Sequence, residues 1–293
     1  MDKLLNRILI GFALLGLALA SIYFGPVTWA LVILVFSLLA YREFKFLCNN
    51  LEIYPLDSWI RFFVVLFILC PLLLGTDQGP SMVYTFLLTT VIAAYVIIFP
   101  RILLKADYTH FGDVTASLWA VFQFGLLPSF FTWIRMMDQG MEFTMLMILT
   151  ISANDVGSLF IGKWFGREQL APKVSPKKTV LGSIGGLVSA ALAFYGFGHA
   201  WGFELTESFL ACPYYQALDS VIDGKFAVFF VLGLLFAIVA QIGDLMVSAL
   251  KRAAGVKDSG TLLFSHGGVL DRIDSHFFAV WFAYFIFAYL IAG

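Results

Sequence analysis

Long apolar runs separated by short polar breaks set the architecture of this chain. Continuous apolar stretches cover about residues 7–24, 26–47, 59–75, 81–100, 114–134, 142–163, 180–200, 226–250 and 272–292. At about 1.5 Å rise per residue, roughly 20 apolar residues cross a ~30 Å hydrocarbon core. The pattern therefore predicts about nine transmembrane helices. The third run is short and the sixth ends in polar residues. Gly25-Pro26 sets a tight turn between the first two, Gly75–Pro80 separates the third from the fourth, and Pro100 ends the fourth. The runs do not alternate apolar and polar residues, which excludes an outer-membrane barrel. Lys3 and Arg7 ahead of a run ending Ala18-Leu19-Ala20-Ser21 have the outline of a signal peptide. The expectation is a retained first helix.

Composition agrees with the runs. Hydrophobic residues make up 61% of the 293 residues and charged residues 13%, against roughly 45–50% and about 25% in soluble domains. Mean hydropathy is +0.92. These values exclude a soluble enzyme, a secreted domain, a disordered tail and a peripheral protein. The fold class expected is all-α, a polytopic integral membrane protein. Cys48, Cys70 and Cys212 form no CxxC pair and predict neither a disulfide framework nor a zinc site. No internal repeat is visible, which weakens the case for an inverted-repeat transporter. The chain reads as one membrane domain over 1–293, with N-terminal hydrophobic helices in 1–110. Helices and loops carrying the chemistry occupy 111–293.

The net charge of −1 hides a segregation. With nine spans, the N-terminus shares a side with the loops after spans two, four, six and eight. All of the 18 basic residues except Arg135 and Lys225 fall on that side. By the positive-inside rule it is cytoplasmic, so the N-terminus is expected inside and the C-terminus outside.

Polar residues are costly in such a chain, at roughly 2.5–3.5 kcal/mol for a charge at mid-membrane. They concentrate in two places, both on the basic side. The first holds Asn154-Asp155, then Gly162-Lys163-Trp164-Phe165-Gly166-Arg167, then Lys173-Val174-Ser175-Pro176-Lys177-Lys178-Thr179. Lysines beside Ser and Thr suit multivalent binding of phosphate oxygens; a basic loop touching anionic lipid heads is the plainer alternative. Gly182 and Gly186, at GxxxG spacing, read as helix packing rather than a phosphate cradle. The second place holds Asp244, Ser248, Lys251, Arg252, Lys257, Asp258, His266-Gly267-Gly268, Asp271, Arg272 and Asp274. Asp271 and Asp274 are three apart and share a helix face. Carboxylates, bases and a Gly-Gly turn suit a Mg²⁺–polyphosphate site, because Mg²⁺ takes one or two carboxylates and fills its octahedron with phosphate oxygens and water. His266 reads equally as a proton shuttle or phosphate donor and as a turn residue. His110, His199 and His276 read as structural.

Residues 248–274, SALKRAAGVKDSGTLLFSHGGVLDRID, closely resemble the signature of the phosphatidate cytidylyltransferase (CDP-diacylglycerol synthase) family. That pattern runs S-x-x-K-R, four residues, K-D-x-G, then H-G-G-x-x-D-R-x-D. GKWFG at 162–166 and KVSPKKT at 173–179 are similar to its second block. The first ~110 residues match only in being hydrophobic. The resemblance implies CMP transfer from CTP to phosphatidic acid, giving CDP-diacylglycerol and pyrophosphate. It implies a Mg²⁺ requirement, with room for a second, monovalent cation, and a homodimer acting at the cytoplasmic face of a bacterial inner membrane. No nucleic-acid partner is expected.

Residue by residue, the resemblance makes Asp244 and Asp271 the metal-binding carboxylates. It places Lys251, Arg252, Lys257, Asp258, His266 and Asp274 around the phosphates. Lys173, Ser175, Lys177 and Lys178 fall in the block that grips nucleotide or lipid phosphate. Asn154 and Asp155 join them as candidate substrate-binding residues on the reading of the first cluster. The sequence departs from the pattern at Leu181 and Val247, where the family usually has Glu, and at Phe264-Ser265, where it usually has Pro-Gly. Two alternatives stay open. One is an enzyme of the same fold acting on another lipid phosphate or a lipid alcohol; the other is a non-catalytic lipid- or nucleotide-binding paralogue.

Overall fold

Helix boundaries follow the local chemistry of the chain. In a computed structural model, α1 covers Asp2–Phe24 and α2 covers Pro26–Asn50. Pro26 opens α2 at no cost in hydrogen bonding, because the first helical N–H has no partner in any case. Next come α3 (Asp57–Leu74), α4 (Phe111–Val121), a π-turn (Phe122–Leu126), α5 (Leu127–Met136) and α6 (Gly140–Phe165). A β-hairpin of β1 (Gln169–Ala171) and β2 (Ser175–Thr179) leads into α7 (Val180–Ala200). After β3 (Glu204–Leu205) come the short α8 (Glu207–Leu210) and α9 (Pro213–Asp219). The chain finishes with α10 (Gly224–Ala253), α11 (Leu270–Tyr289) and β4 (Ile291–Ala292). The structure describes residues 2–75, 88–89, 91–96, 111–260, 262 and 267–292.

The protein is an all-α integral membrane protein apart from two small antiparallel ribbons, β1–β2 and β3–β4. Five described helical segments are long and apolar enough to cross a membrane: Asp57–Leu74, Phe111–Met136, Gly140–Phe165, Val180–Ala200 and Gly224–Ala253. The other expected runs also fall on helices, except 81–100. Of that run only 88–89 and 91–96 are described, and these are helical. Arg101, Lys105, His110, Phe264, Ser265 and the candidate site residue His266 lie outside the described residues.

Two compact units divide the chain: Met1–Met137 with Leu250–Ile273, and Asp138–Ala249 with Asp274–Gly293. In the first, α2 buries Trp29, Ala30, Ile33, Ser37, Ala40, Tyr41, Phe44 and Leu47 at helical spacing. Phe44 packs on Trp119 and Phe124, with ring centroids 4.8 and 5.5 Å apart. That aromatic cluster fixes α2 against α4 and the π-turn. Pro128 explains the π-turn, because a proline ring clashes with the carbonyl four residues back and the widened turn relieves the clash.

In the second unit, α6 and α7 approach through small residues. A Cβ at Gly182 would stand 2.8 Å from the Ser158 carbonyl oxygen and 2.9 Å from Gly162 Cα. One at Gly186 would overlap Ser158 Oγ and stand 2.7 Å from the Asn154 carbonyl oxygen. These glycines serve helix packing, as their GxxxG spacing predicts. Phe143 stacks on Phe287 at 4.5 Å and lies 4.6 Å from Phe203, which closes the far end of this unit.

Candidate active site

The second unit contains a cavity of about 420 Å³, lined among others by Asn154, Asp155, Ser158, Lys163, Lys177, Lys178, Ser183, Gln241 and Asp244. Three elements supply it. On α6, positions 154, 155, 158, 159 and 162 recur at three- and four-residue spacing and so form one face. On α10, Gln241 and Asp244 are three apart. The basic segment 173–179, expected as a loop, contributes β2 of a hairpin in which Gln169 pairs with Thr179 and Ala171 with Ser175. Thr179 then caps α7, its hydroxyl accepting the Gly182 N–H at 3.1 Å. This cap ties the lysines of β2 to the start of α7.

Polar groups in the cavity wall are interlinked. Gln241 Nε2 donates to Asn154 Oδ1 at 2.8 Å and to the Ser183 carbonyl at 3.2 Å. The Ser183 hydroxyl donates to Gln241 Oε1. Asn154 Nδ2 donates to Asp155 Oδ1 at 3.1 Å. Asn154 itself is buried, so the chain of amides holds it and its neighbour Asp155 in place. Lys178 forms an ion pair with Asp244, whose other oxygen accepts from Ser248 Oγ at 3.4 Å. Lys177 and Lys178 line the cavity, whereas Lys173 and Ser175 are not among its lining residues. Lys173 is exposed.

The signature segment of residues 250–273 folds within the first unit. Asp271 is its hub. Its Oδ1 accepts from Lys251 Nζ at 2.6 Å, and its Oδ2 accepts the N–H groups of Ser259 and Gly268, both at 3.0 Å. Burial alone would raise the Asp271 pKa. The Lys251 ammonium and these N–H donors outweigh that effect and hold the carboxyl below its usual range. Asp271 stands ahead of the apolar run that begins at 272.

The two signature glycines serve different ends. Gly267 has φ +81°, a conformation that favours glycine, and a Cβ at Gly268 would overlap Ser259 Oγ and Glu43 Oε2. Lys257 and Asp258 are exposed, and Arg252 donates to the Val256 carbonyl at 3.1 Å. In the second unit, buried Asp274 accepts the Ser275 N–H at 2.7 Å.

The donor sets are compatible with Mg²⁺. Among the described residues no group of three or more His, Cys, Asp or Glu converges. Mg²⁺ does not need such a cage, since it binds through one or two carboxylates and completes its shell with phosphate and water. Asp244 and Asp155 provide that number on the cavity wall. Donors among the described residues take three of about four lone-pair positions of the Asp271 carboxylate.

Several contributors escape sequence reasoning. Gln241 was visible as an amide in an apolar helix three residues before Asp244, and Ser183 gave no signal. Glu43 sits between Arg42 and Lys45 and reads as an ordinary span-end charge, yet it is buried. At the departure positions, Val247 is fully buried and Leu181 is exposed.

A sequence model of the Cytidylyltransferase family matches residues 5–290. Curated relatives named phosphatidate cytidylyltransferase include one from Synechocystis sp., 33% identical over 217 residues, covering 65% of this chain and 67% of the relative. Another, from Bacillus subtilis, is 36% identical over 188 residues, covering 64% and 62%. A third, from Haemophilus influenzae, is 38% identical over 149 residues, covering 50% and 46%. The matched stretch thus spans two thirds or less of the last two relatives' own lengths.

Proposed function

This chain belongs to the cytidylyltransferase family, and we infer that it transfers the cytidylyl group of CTP to phosphatidic acid, giving CDP-diacylglycerol and pyrophosphate in phospholipid biosynthesis. The observation that carries this reading is the cavity, in which Lys163, Lys177 and Lys178 meet Asp155 and Asp244. Three cations against two anions suit a polyanionic substrate.

A phosphate monoester oxygen attacks the α-phosphorus of CTP, the bond from that phosphorus to the bridging oxygen breaks, and pyrophosphate leaves with the electron pair. The nucleophile is already anionic near neutral pH and needs little general-base help. The barrier is the approach of two anions, so the protein's work is positioning and charge compensation. Lys178, paired with Asp244 before substrate arrives, finds a second anionic partner in a phosphate oxygen. Lys163 and Lys177 spread positive charge along the same wall. The Gln241–Asn154 network keeps that wall rigid. A Mg²⁺ ion, when bound, supplies further neutralisation of the phosphates, and Asp244 with Asp155 would hold it in the cavity. On the signature resemblance, Asp271 is the other metal-binding carboxylate, with Lys251, Arg252, Lys257, Asp258, His266 and Asp274 around the phosphates. We read the membrane topology as nine spans with the N-terminus and the reacting groups on the cytoplasmic side of the inner membrane, and the assembly as a homodimer.

Purified protein given CTP, Mg²⁺ and phosphatidate vesicles is expected to release pyrophosphate and form CDP-diacylglycerol. Folded protein that releases none with any lipid phosphate would overturn the reading. Replacing Lys177 and Lys178 together by Met should raise apparent KM for a phosphate-bearing substrate about tenfold or more, the equivalent of one lost charge-assisted contact. An unchanged KM would reduce the basic strand to a lipid-surface contact.

A further inference from the structure

We propose that Glu43, on α2 and far from the signature in sequence, is a positioning residue for the reaction, acting through Asp271. The inference rests on the cytidylyl-transfer reading and adds a residue from outside the signature blocks at 162–179 and 248–274.

Glu43 is 5% exposed. A carboxylate so buried must find donors or neutralise, and among the described residues its donors come from the signature segment. Oε1 accepts the Val269 N–H at 2.9 Å; Oε2 accepts the Leu270 N–H at 2.9 Å and the Ser259 hydroxyl at 2.7 Å. No described lysine or arginine pairs with it. Its charge is met by the N-terminus of α11, where unpaired N–H groups and the helix dipole favour an anion.

Four N–H groups around the helix start have acceptors among the described residues. Gly268 N–H goes to Asp271, Val269 and Leu270 go to Glu43, and Arg272 goes to the Val269 carbonyl at 3.0 Å. Ser259 joins the two acids, giving its hydroxyl to Glu43 and its N–H to Asp271. Neither acid can move without disturbing a donor of the other.

The glycines of the signature confirm how closely Glu43 is fitted. A Cβ at Gly260 would stand 2.7 Å from Glu43 Oε1, and one at Gly268 would overlap Oε2. Tyr41 and Phe44 on either side of Glu43 are buried against Phe124, so the acid is delivered from a rigid helix. A buried anion on rigid support, shared between one loop and one helix start, holds Asp271 Oδ1 toward Lys251 in a single geometry. Misplacing a reacting group by about 1 Å costs about 10²-fold in rate.

The test compares the wild type with Glu43→Asp, Glu43→Gln and Ser259→Ala. Glu43→Gln keeps the volume but turns one acceptor into a donor facing a donor. Glu43→Asp keeps both acceptors and the charge but is one methylene short. We expect kcat to fall about 10–100-fold in Glu43→Gln, the range for residues that orient a reacting group. KM for CTP and for phosphatidate should stay within about twofold, because substrate contacts are untouched. Glu43→Asp should recover part of the rate. Ser259→Ala should also slow turnover, and adding it to Glu43→Gln should cost less than the product of the two losses. Amide hydrogen exchange of the peptide containing 267–272 should speed up in Glu43→Gln, with α6 and α7 unchanged.

A role in packing alone predicts the reverse order, with Gln at least as active as Asp, and that order would overturn the proposal. Wild-type kcat in Glu43→Gln would overturn it too, as would lost activity with unchanged exchange at 267–272. A wild-type protein that releases no pyrophosphate would instead sink the reaction assigned above, which separates the two failures.

Discussion

Asp271→Asn should lower pyrophosphate release about 10³-fold while the protein stays folded, the upper range for deleting one group from a preorganised electrostatic site. The asparagine carbonyl can still accept the N–H groups of Ser259 and Gly268, so the turn before α11 keeps its shape. What disappears is the negative charge facing Lys251, 2.6 Å away. The side chains of this pair are 11% and 12% exposed. Removing one partner of a buried pair costs about 3–5 kcal/mol through the charge left behind. Stability and chemistry are separated by adding Lys251→Met. The double variant should regain thermal stability, because no cation is stranded, and should remain inactive. Near-normal turnover in Asp271→Asn would remove Asp271 from the reacting groups. Recovery of turnover in the double variant would reduce its role to neutralising Lys251.

Gly186→Ala should destabilise the protein by about 1–3 kcal/mol, the usual cost of overpacking, and slow turnover as well. Its Cβ would meet the Asn154 carbonyl oxygen at 2.7 Å, and backbone cannot rotate away as a side chain can. The helices must part, and Asn154 is the residue pushed. Since Asn154 accepts from Gln241 and donates to Asp155, the displacement reaches the cavity wall. Gly196, on the same helix, has nothing within 4 Å of its Cβ position. Gly196→Ala should be neutral or stabilising by up to about 1 kcal/mol through helix propensity. Thermal unfolding in detergent compares the two. Equal melting temperatures would show that the close approach at Gly186 is unimportant.

Much of the molecule is legible along the chain because membrane spans are a local property. Each run carries its own signal in about 20 residues, and α2, α3, α6, α7, α10 and α11 begin and end within a few residues of the expected positions, whereas the short α8 and α9 were not expected. The glycine pair 182 and 186 was readable as packing for the same reason, since one helix face is defined by spacing alone. The hairpin at 169–179 was not readable. Its strands are three and five residues long, too short for an alternating pattern, and Thr179 both pairs with Gln169 and caps α7. Glu43 was missed because local context gives it two basic neighbours, and only the fold shows that neither is its partner.

By itself, then, the sequence determined the solvent in which this protein lives, the helices that fill it, the two polar segments and the family whose signature they carry. These depend on hydropathy, helical period and motif spacing, all of which act over a few turns. Tertiary structure alone decided the partners. Lys178 meets Asp244 across 66 positions, Gln241 meets Asn154 across 87, and Glu43 meets Val269 across 226. A hydrogen bond requires its donor and acceptor within about 3 Å, and no local pattern encodes which distant residue the folded chain will bring there.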